Sequence, residues 1–235
     1  VTEPVIVPVR VADGEFDLTV WRPESGQGPA ILLVQEIFGV GPYIQAVARE
    51  LAALGYVVGA PDLFWRLTRN WAADHDEAGL TASMELAGRF DFETGVADAQ
   101  AATEVLRGLD GVRGGVGALG FCLGGSITWV QAAQGGPDAV VSFYGSGVPD
   151  ASGLAEAITV PTLLHFGGSD PYIQRADIAR VEAAVAGREL LELHVQEDAG
   201  HAFHNHQAPA FHQPEAAARA WRLTEEFLGR VLPVS

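Results

Sequence analysis

Residues 115–125 read Gly115-Val116-Gly117-Ala118-Leu119-Gly120-Phe121-Cys122-Leu123-Gly124-Gly125. An apolar run enters a Gly-x-Cys-x-Gly-Gly turn, and the segment 123–134 then reads as a helix. A buried strand that turns sharply into a helix, with a nucleophile at the turn, is the pattern of a nucleophile elbow. Most such elbows carry serine. This one carries Cys122, the only cysteine in the chain. Gly120 and Gly124 fit the pattern because a side chain at either position would crowd the turn. A sulfur at a helix N-terminus gains thiolate character from the helix dipole. A lone cysteine is also a common buried core residue. The glycine frame after a strand separates the two readings and favours the elbow.

Working outward, short apolar runs recur on both sides of this stretch. Val5-Ile6-Val7-Pro8-Val9 and Phe16-Asp17-Leu18-Thr19-Val20-Trp21 read as opening strands, the second with period-two alternation. Ala30 to Val34, Val57 to Ala60, Val116 to Leu119, Ala139 to Phe143 and Thr162 to Phe166 read as strands buried on both faces. A last strand falls at 190–195. Helical spacing falls at 43–54, 82–89, 95–108, 175–186 and 214–229. Residues 61–80 lack a clear core period, and 61–90 is expected to form a cap of loop and helix over the site. Strands alternating with helices predict an α/β fold, with a mostly parallel central sheet covered by helices on both faces. The expectation is one domain over residues 1–235, with no repeat or linker.

In such sheets ligands bind beyond the carboxyl ends of the strands. The residues just after each predicted strand are therefore the informative ones. Glu36 follows Val34, Cys122 follows the run to Leu119, Tyr144 follows Phe143, Asp170 follows Phe166, and His201 follows the strand near 195. Nucleophile, acid and histidine occur in the order Cys122, Asp170, His201, the chain order of α/β-hydrolase triads. In that reading His201 takes the thiol proton and returns it to the leaving group, and Asp170 orients the imidazole. The backbone N–H groups of Leu123 and Ile37 are the expected oxyanion donors. Asp198 is a competing acid, close to His201 in sequence. Ser126 and Ser146 are rival nucleophiles, the first inside the predicted helix and the second without an elbow. His201, His204, His206 and His212 crowd one segment, but no metal-binding spacing accompanies them, and no metal is expected.

Composition bounds the rest. The 235 residues are 48% hydrophobic, which excludes a disordered chain. A formal net charge of -16 argues against nucleic acid and anionic membranes as partners. No apolar run reaches the roughly 18 residues of a membrane span. The first residues lack the blocks of a signal peptide, and one cysteine fits a reducing cytoplasm. A cytoplasmic protein, monomeric or weakly self-associating, is expected.

Six anchors together resemble the dienelactone hydrolase (carboxymethylenebutenolidase) family of α/β-hydrolases. They are Gln35-Glu36-Ile37-Phe38-Gly39, Ala60-Pro61-Asp62-Leu63, Gly120-Phe121-Cys122-Leu123-Gly124-Gly125, Tyr144-Gly145, Gly168-Ser169-Asp170 and Ala199-Gly200-His201-Ala202-Phe203. The resemblance implies a Cys122, Asp170 and His201 triad that cleaves small esters or lactones through an acyl-enzyme without a cofactor. It further implies that Glu36 holds the resting thiol and helps form the thiolate when substrate arrives. Two arginines that grip the dienelactone carboxylate in the family align with Leu80 and Asn205, and an aromatic residue aligns near Met84. Dienelactone itself is therefore not the expected substrate. Phe38, Tyr144, Phe203, Asn205 and Arg66 are the expected substrate contacts, with Arg66 or Arg69 a possible compensating cation. The competing readings are a noncatalytic small-molecule-binding module that keeps the fold, and, more weakly, a cysteine peptidase.

Overall fold

Four of the eight strands are buried along their whole length, and the order of the strands positions the site. A computed structural model describes residues 1–234. Its strands are β1 (Val5–Val11), β2 (Gly14–Trp21), β3 (Gly28–Val34), β4 (Val57–Pro61), β5 (Val112–Phe121), β6 (Ala139–Phe143), β7 (Thr162–Gly167) and β8 (Leu191–Gln196). They form one sheet in the order β1-β2-β4-β3-β5-β6-β7-β8. β1 and β2 form an antiparallel hairpin, and β2 runs antiparallel to β4. All other neighbours are parallel.

The helices are α1 (Pro42–Ala53), α2 (Glu77–Ala87), α3 (Phe92–Arg107), α4 (Leu123–Gln134), α5 (Arg175–Val185) and α6 (Pro214–Val231). Proline at the first turn starts α1 and α6, where its missing N–H costs nothing. α3 and α4 pack on each other and on the central strands. Because helices shield the sheet, β3, β4, β6 and β7 can be wholly apolar or neutral inside, as their sequences require. No helix among the described residues is long and apolar enough to cross a membrane.

Three boundaries differ from the sequence expectation by three residues or more. α2 begins at Glu77 rather than 82, because Asp76 accepts a hydrogen bond from the Gly79 N–H at 2.7 Å and caps the helix. Asp91 caps α3 in the same way, so that helix starts at Phe92. β5 starts at Val112, four residues early; its first residues are half-exposed and glycine-rich, which hides them from an apolar pattern. A short 3-10 turn at Ser152–Ala157 carried no sequence signal.

The turn from β5 into α4 leaves no room for a Cβ at its glycines. A Cβ on Gly120 would lie 2.1 Å from the Gly124 carbonyl oxygen. A Cβ on Gly124 would lie 2.3 Å from the carbonyl oxygen of Val34. Both obstacles are backbone, so neither can yield cheaply. Gly124→Ala is expected to lose about 3 kcal/mol of stability, while Gly153→Ala, whose Cβ would meet nothing within 4 Å, should stay within about 0.5 kcal/mol. Urea unfolding of the two variants checks this.

Candidate active site

Cys122 occupies the N-cap of α4 with φ 54° and ψ -112°. This is a strained backbone for a residue with a Cβ. It is held by the Cys122 N–H bond to Phe143 O at 3.0 Å and by the glycines around it. The strain lifts the thiol out of the turn and into a pocket of about 260 Å³.

The other strand ends converge on this pocket. Asp170, after β7, is buried, and its Oδ1 accepts the N–H groups of Tyr172 at 2.8 Å and Ile173 at 3.2 Å. Its Oδ2 lies 2.7 Å from Nδ1 of His201. Those bonds leave one oxygen free to orient the imidazole. Burial opposes a charge on His201, but the nearby Cys122 sulfur and the bond to Asp170 outweigh it and raise its pKa to about 10. Cys122, Asp170 and His201 are thus brought together. Asp198 is not among them: it is a surface residue paired with Arg219 at 2.9 Å. Ser126 accepts the Gly147 N–H at 2.9 Å and serves the backbone. Ser146 lines the pocket from an exposed loop.

The loop after β3 supplies Glu36, Ile37 and Phe38, all of which line the pocket together with Leu123. Buried Gln35 secures this loop. Its Oε1 accepts the Leu63 N–H at 3.1 Å and its Nε2 donates to Glu36 O at 3.2 Å. Trp71 Nε1 donates to Ile37 O at 3.2 Å, and the Ala73 N–H to Phe38 O at 3.1 Å. The 71–73 segment therefore straps the loop whose N–H groups face the reacting centre in the oxyanion reading.

Glu36 has different partners from those the resemblance implied. Its Oε1 lies 2.6 Å from His75 Nε2, and Asn205 Nδ2 lies 3.1 and 3.3 Å from its two oxygens. No hydrogen bond among the described residues joins it to Cys122. His75 was missed by sequence reasoning because it sits in the aperiodic stretch 61–80. Its only signal was a histidine between two aspartates, Asp74 and Asp76.

The expected substrate contacts divide. Phe38 and Asn205 line the pocket, as do Leu80 and Met84. Arg66 does not. It is paired with Asp13 at 2.7 Å and with buried Asp98, which also accepts from Trp65 Nε1 at 2.9 Å. Arg69 lies over the Trp65 ring and donates to Glu15 O, so neither arginine replaces a missing cation. Phe203 is fully buried against Phe143 and Tyr144 and belongs to the core. Tyr144 is buried behind His201, with ring centroids 5.2 Å apart. His204 is buried too. Burial, with His206 and His212 nearby, pushes its pKa down to about 3, and its Nδ1 lies 2.9 Å from the Tyr43 hydroxyl. The histidine crowding is therefore partly core packing.

A family model described as the dienelactone hydrolase family matches residues 16–232. The chain belongs to the dienelactone hydrolase family. It is 32% identical over 222 residues to a carboxymethylenebutenolidase of Pseudomonas sp. strain P51, covering 94% of this chain and 92% of that one. It is 31% identical over 201 residues to carboxymethylenebutenolidase 1 of Cupriavidus pinatubonensis, covering 85% and 86%. The solved structure of a provisionally named dienelactone hydrolase from Klebsiella pneumoniae superposes with a TM-score of 0.83 at 26% identity, covering 97% of this chain and 98% of that one. An acylaminoacyl peptidase of Pyrococcus horikoshii shares the fold at a TM-score of 0.72 and 17% identity, with 98% of this chain covering 42% of that one. The fold is the α/β-hydrolase fold, and the protein is a dienelactone hydrolase-like ester or lactone hydrolase.

The raised pKa of His201 has a direct check. The nearby Cys122 sulfur is one of the causes that raise it, so in Cys122→Ala the His201 imidazole should titrate below about 10. NMR titration of the ring reports this. The same shift predicts a stability contribution. A folded-state value above the unfolded value of about 6.5 gives stabilisation that is full below that pH and lost as pH rises through about 10.

Proposed function

We propose that this hydrolase cleaves small, uncharged esters or lactones through an acyl-enzyme on Cys122, with His201 as acid and base and Asp170 as its orienting partner. The carrying observation is the strained Cys122 in one pocket with an imidazole held at 2.7 Å by a buried carboxylate. The His201 imidazole, its pKa raised beside the Cys122 sulfur and Asp170, is set to take the thiol proton and hold it through the attack. The sulfur attacks the carbonyl carbon, and the oxyanion forms against the N–H groups of Leu123 and Ile37. Leu123 opens α4, so its N–H has no acceptor within the helix. Collapse breaks the ester bond, and His201 gives its proton to the departing oxygen. Water then attacks the thioester while His201 takes a proton from it. The carboxylic acid leaves and the thiol is regenerated. Each step uses protein groups and water only.

The walls decide the substrate class. Leu80, Met84, Ala87 and Phe211 make one side apolar, and among the described residues no lysine or arginine lines the pocket. Glu36 adds a carboxylate. A substrate carboxylate would lose water without gaining an arginine partner, because the charged imidazole of His201 is already held between Asp170 and the sulfur, and it would forgo about 1.5–3 kcal/mol for each charge-assisted bond it lacks. The strap of 71–73 and the small volume leave a site for a compact molecule rather than a peptide. The complete Cys, His and Asp arrangement has no purpose in a noncatalytic binding module.

Turnover of short p-nitrophenyl esters and a lactone panel tests the reading. Cys122→Ala should lose at least about 10³-fold in kcat, and neutral lactones should exceed their carboxylated counterparts by at least about tenfold in kcat/KM. Equal activity of Cys122→Ala and wild type would remove Cys122 from the chemistry. Faster turnover of the carboxylated lactones would overturn the substrate class.

A further inference from the structure

Glu36 and His75 make a second carboxylate–imidazole pair in the pocket that holds Cys122 and His201. No step of the reaction above uses it. His75 comes from the segment between β4 and α2, which the Ala73 N–H pins to the loop carrying Glu36. Its side chain is 6% exposed, and its ring lies 4.2 Å from that of Phe38 between centroids. Asn205 reaches the same carboxylate from the loop after β8, its Nδ2 2.9 Å from His75 Nε2. Its Oδ1 accepts the Gln207 N–H at 3.0 Å, which turns its Nδ2 toward both oxygens of Glu36. The carboxylate is thus gripped by nitrogens from two separate loops.

We propose that His75 is a positioning residue that, with Asn205, clamps the Glu36 carboxylate away from the Cys122 sulfur, so that the thiol proton goes to His201. This rests on the reading of Cys122 as the nucleophile. A loose carboxylate beside the sulfur does harm in either of two ways. It accepts the S–H hydrogen bond and holds the sulfur protonated, or it sets a second negative charge beside the thiolate. Both penalties are larger in an apolar pocket than in water. The clamp gives each oxygen of Glu36 a partner and fixes its direction. Burial first, and Glu36 after it, oppose ionisation of the nearby Tyr43 and Tyr144 hydroxyls.

Cys122 is the only cysteine, so alkylation by iodoacetamide reads one sulfur in the full chain. At pH 7, His75→Phe, which keeps a ring against Phe38 but has no donor, should be alkylated about tenfold more slowly than wild type. His75→Gln, which keeps a donor, should recover most of that loss. Adding Glu36→Gln to His75→Phe should remove the loss, because the harm acts through the carboxylate. Asn205→Ala, the second grip, should slow alkylation in the same direction and respond to Glu36→Gln in the same way, which covers a His75→Phe that does not fold. Alkylation of His75→Phe as fast as wild type or faster overturns the clamp, as does a loss that Glu36→Gln leaves in place. Wild-type Cys122 reacting no faster than free cysteine overturns the nucleophile reading itself, and the clamp with it.

Discussion

The backbone of Cys122 is the constraint on which the site depends. At φ 54° and ψ -112° it lies outside the regions that residues with a Cβ prefer. Such strain typically costs about 1–3 kcal/mol and persists only where the surroundings over-determine it. Here they do. β5 is locked between β3 and β6, α4 must begin at once, and backbone carbonyls of Val34 and Phe143 close on the turn. The sulfur therefore has one place to be. Glu36, Asp170 and His201 reach it from the loops after β3, β7 and β8.

Two carboxylate–imidazole pairs reach this fixed point, and they are built differently. Asp170 spends one oxygen on backbone N–H groups and offers the other to His201. Glu36 spends both oxygens on side chains, one histidine and one amide. The first arrangement leaves an imidazole pointed at the sulfur; the second closes a carboxylate off. Buried carboxylates need this degree of satisfaction, because an unpartnered one costs more than the fold can spare. The 71–75 segment serves both needs. It straps the Ile37 loop through Trp71 and Ala73, and it brings His75 to Glu36.

The strands were legible because burial on both faces demands continuous apolar runs, and β3, β4, β6 and β7 have them. The positions of Cys122 and Asp170 were legible because each follows such a run, while His201 follows the half-buried β8 and was placed by the chain order of the three residues. The start of α2 was not, since a single aspartate cap set it rather than a periodic face. Arg66 looked available as a cation because a sequence does not show that Asp13 and Asp98 are waiting for it, from a hairpin and a helix far away in the chain. Phe203 stands two residues beyond His201 and looked like a pocket wall. The chain turns between them, with Ala202 at a positive φ of 53°, and the ring goes into the core.

By itself the sequence determined the layered α/β architecture, the elbow around Cys122 and the order of the groups that follow the strands. These are local properties: apolar runs, glycine spacing and position relative to a strand end. Only the tertiary structure decided what those groups touch. The Glu36 carboxylate meets a histidine 39 residues and an asparagine 169 residues away in the chain, and no local pattern encodes such a meeting. Partner choice in a buried site is set by which donors the packed loops bring within about 3 Å, and that distance exists only once the sheet has assembled.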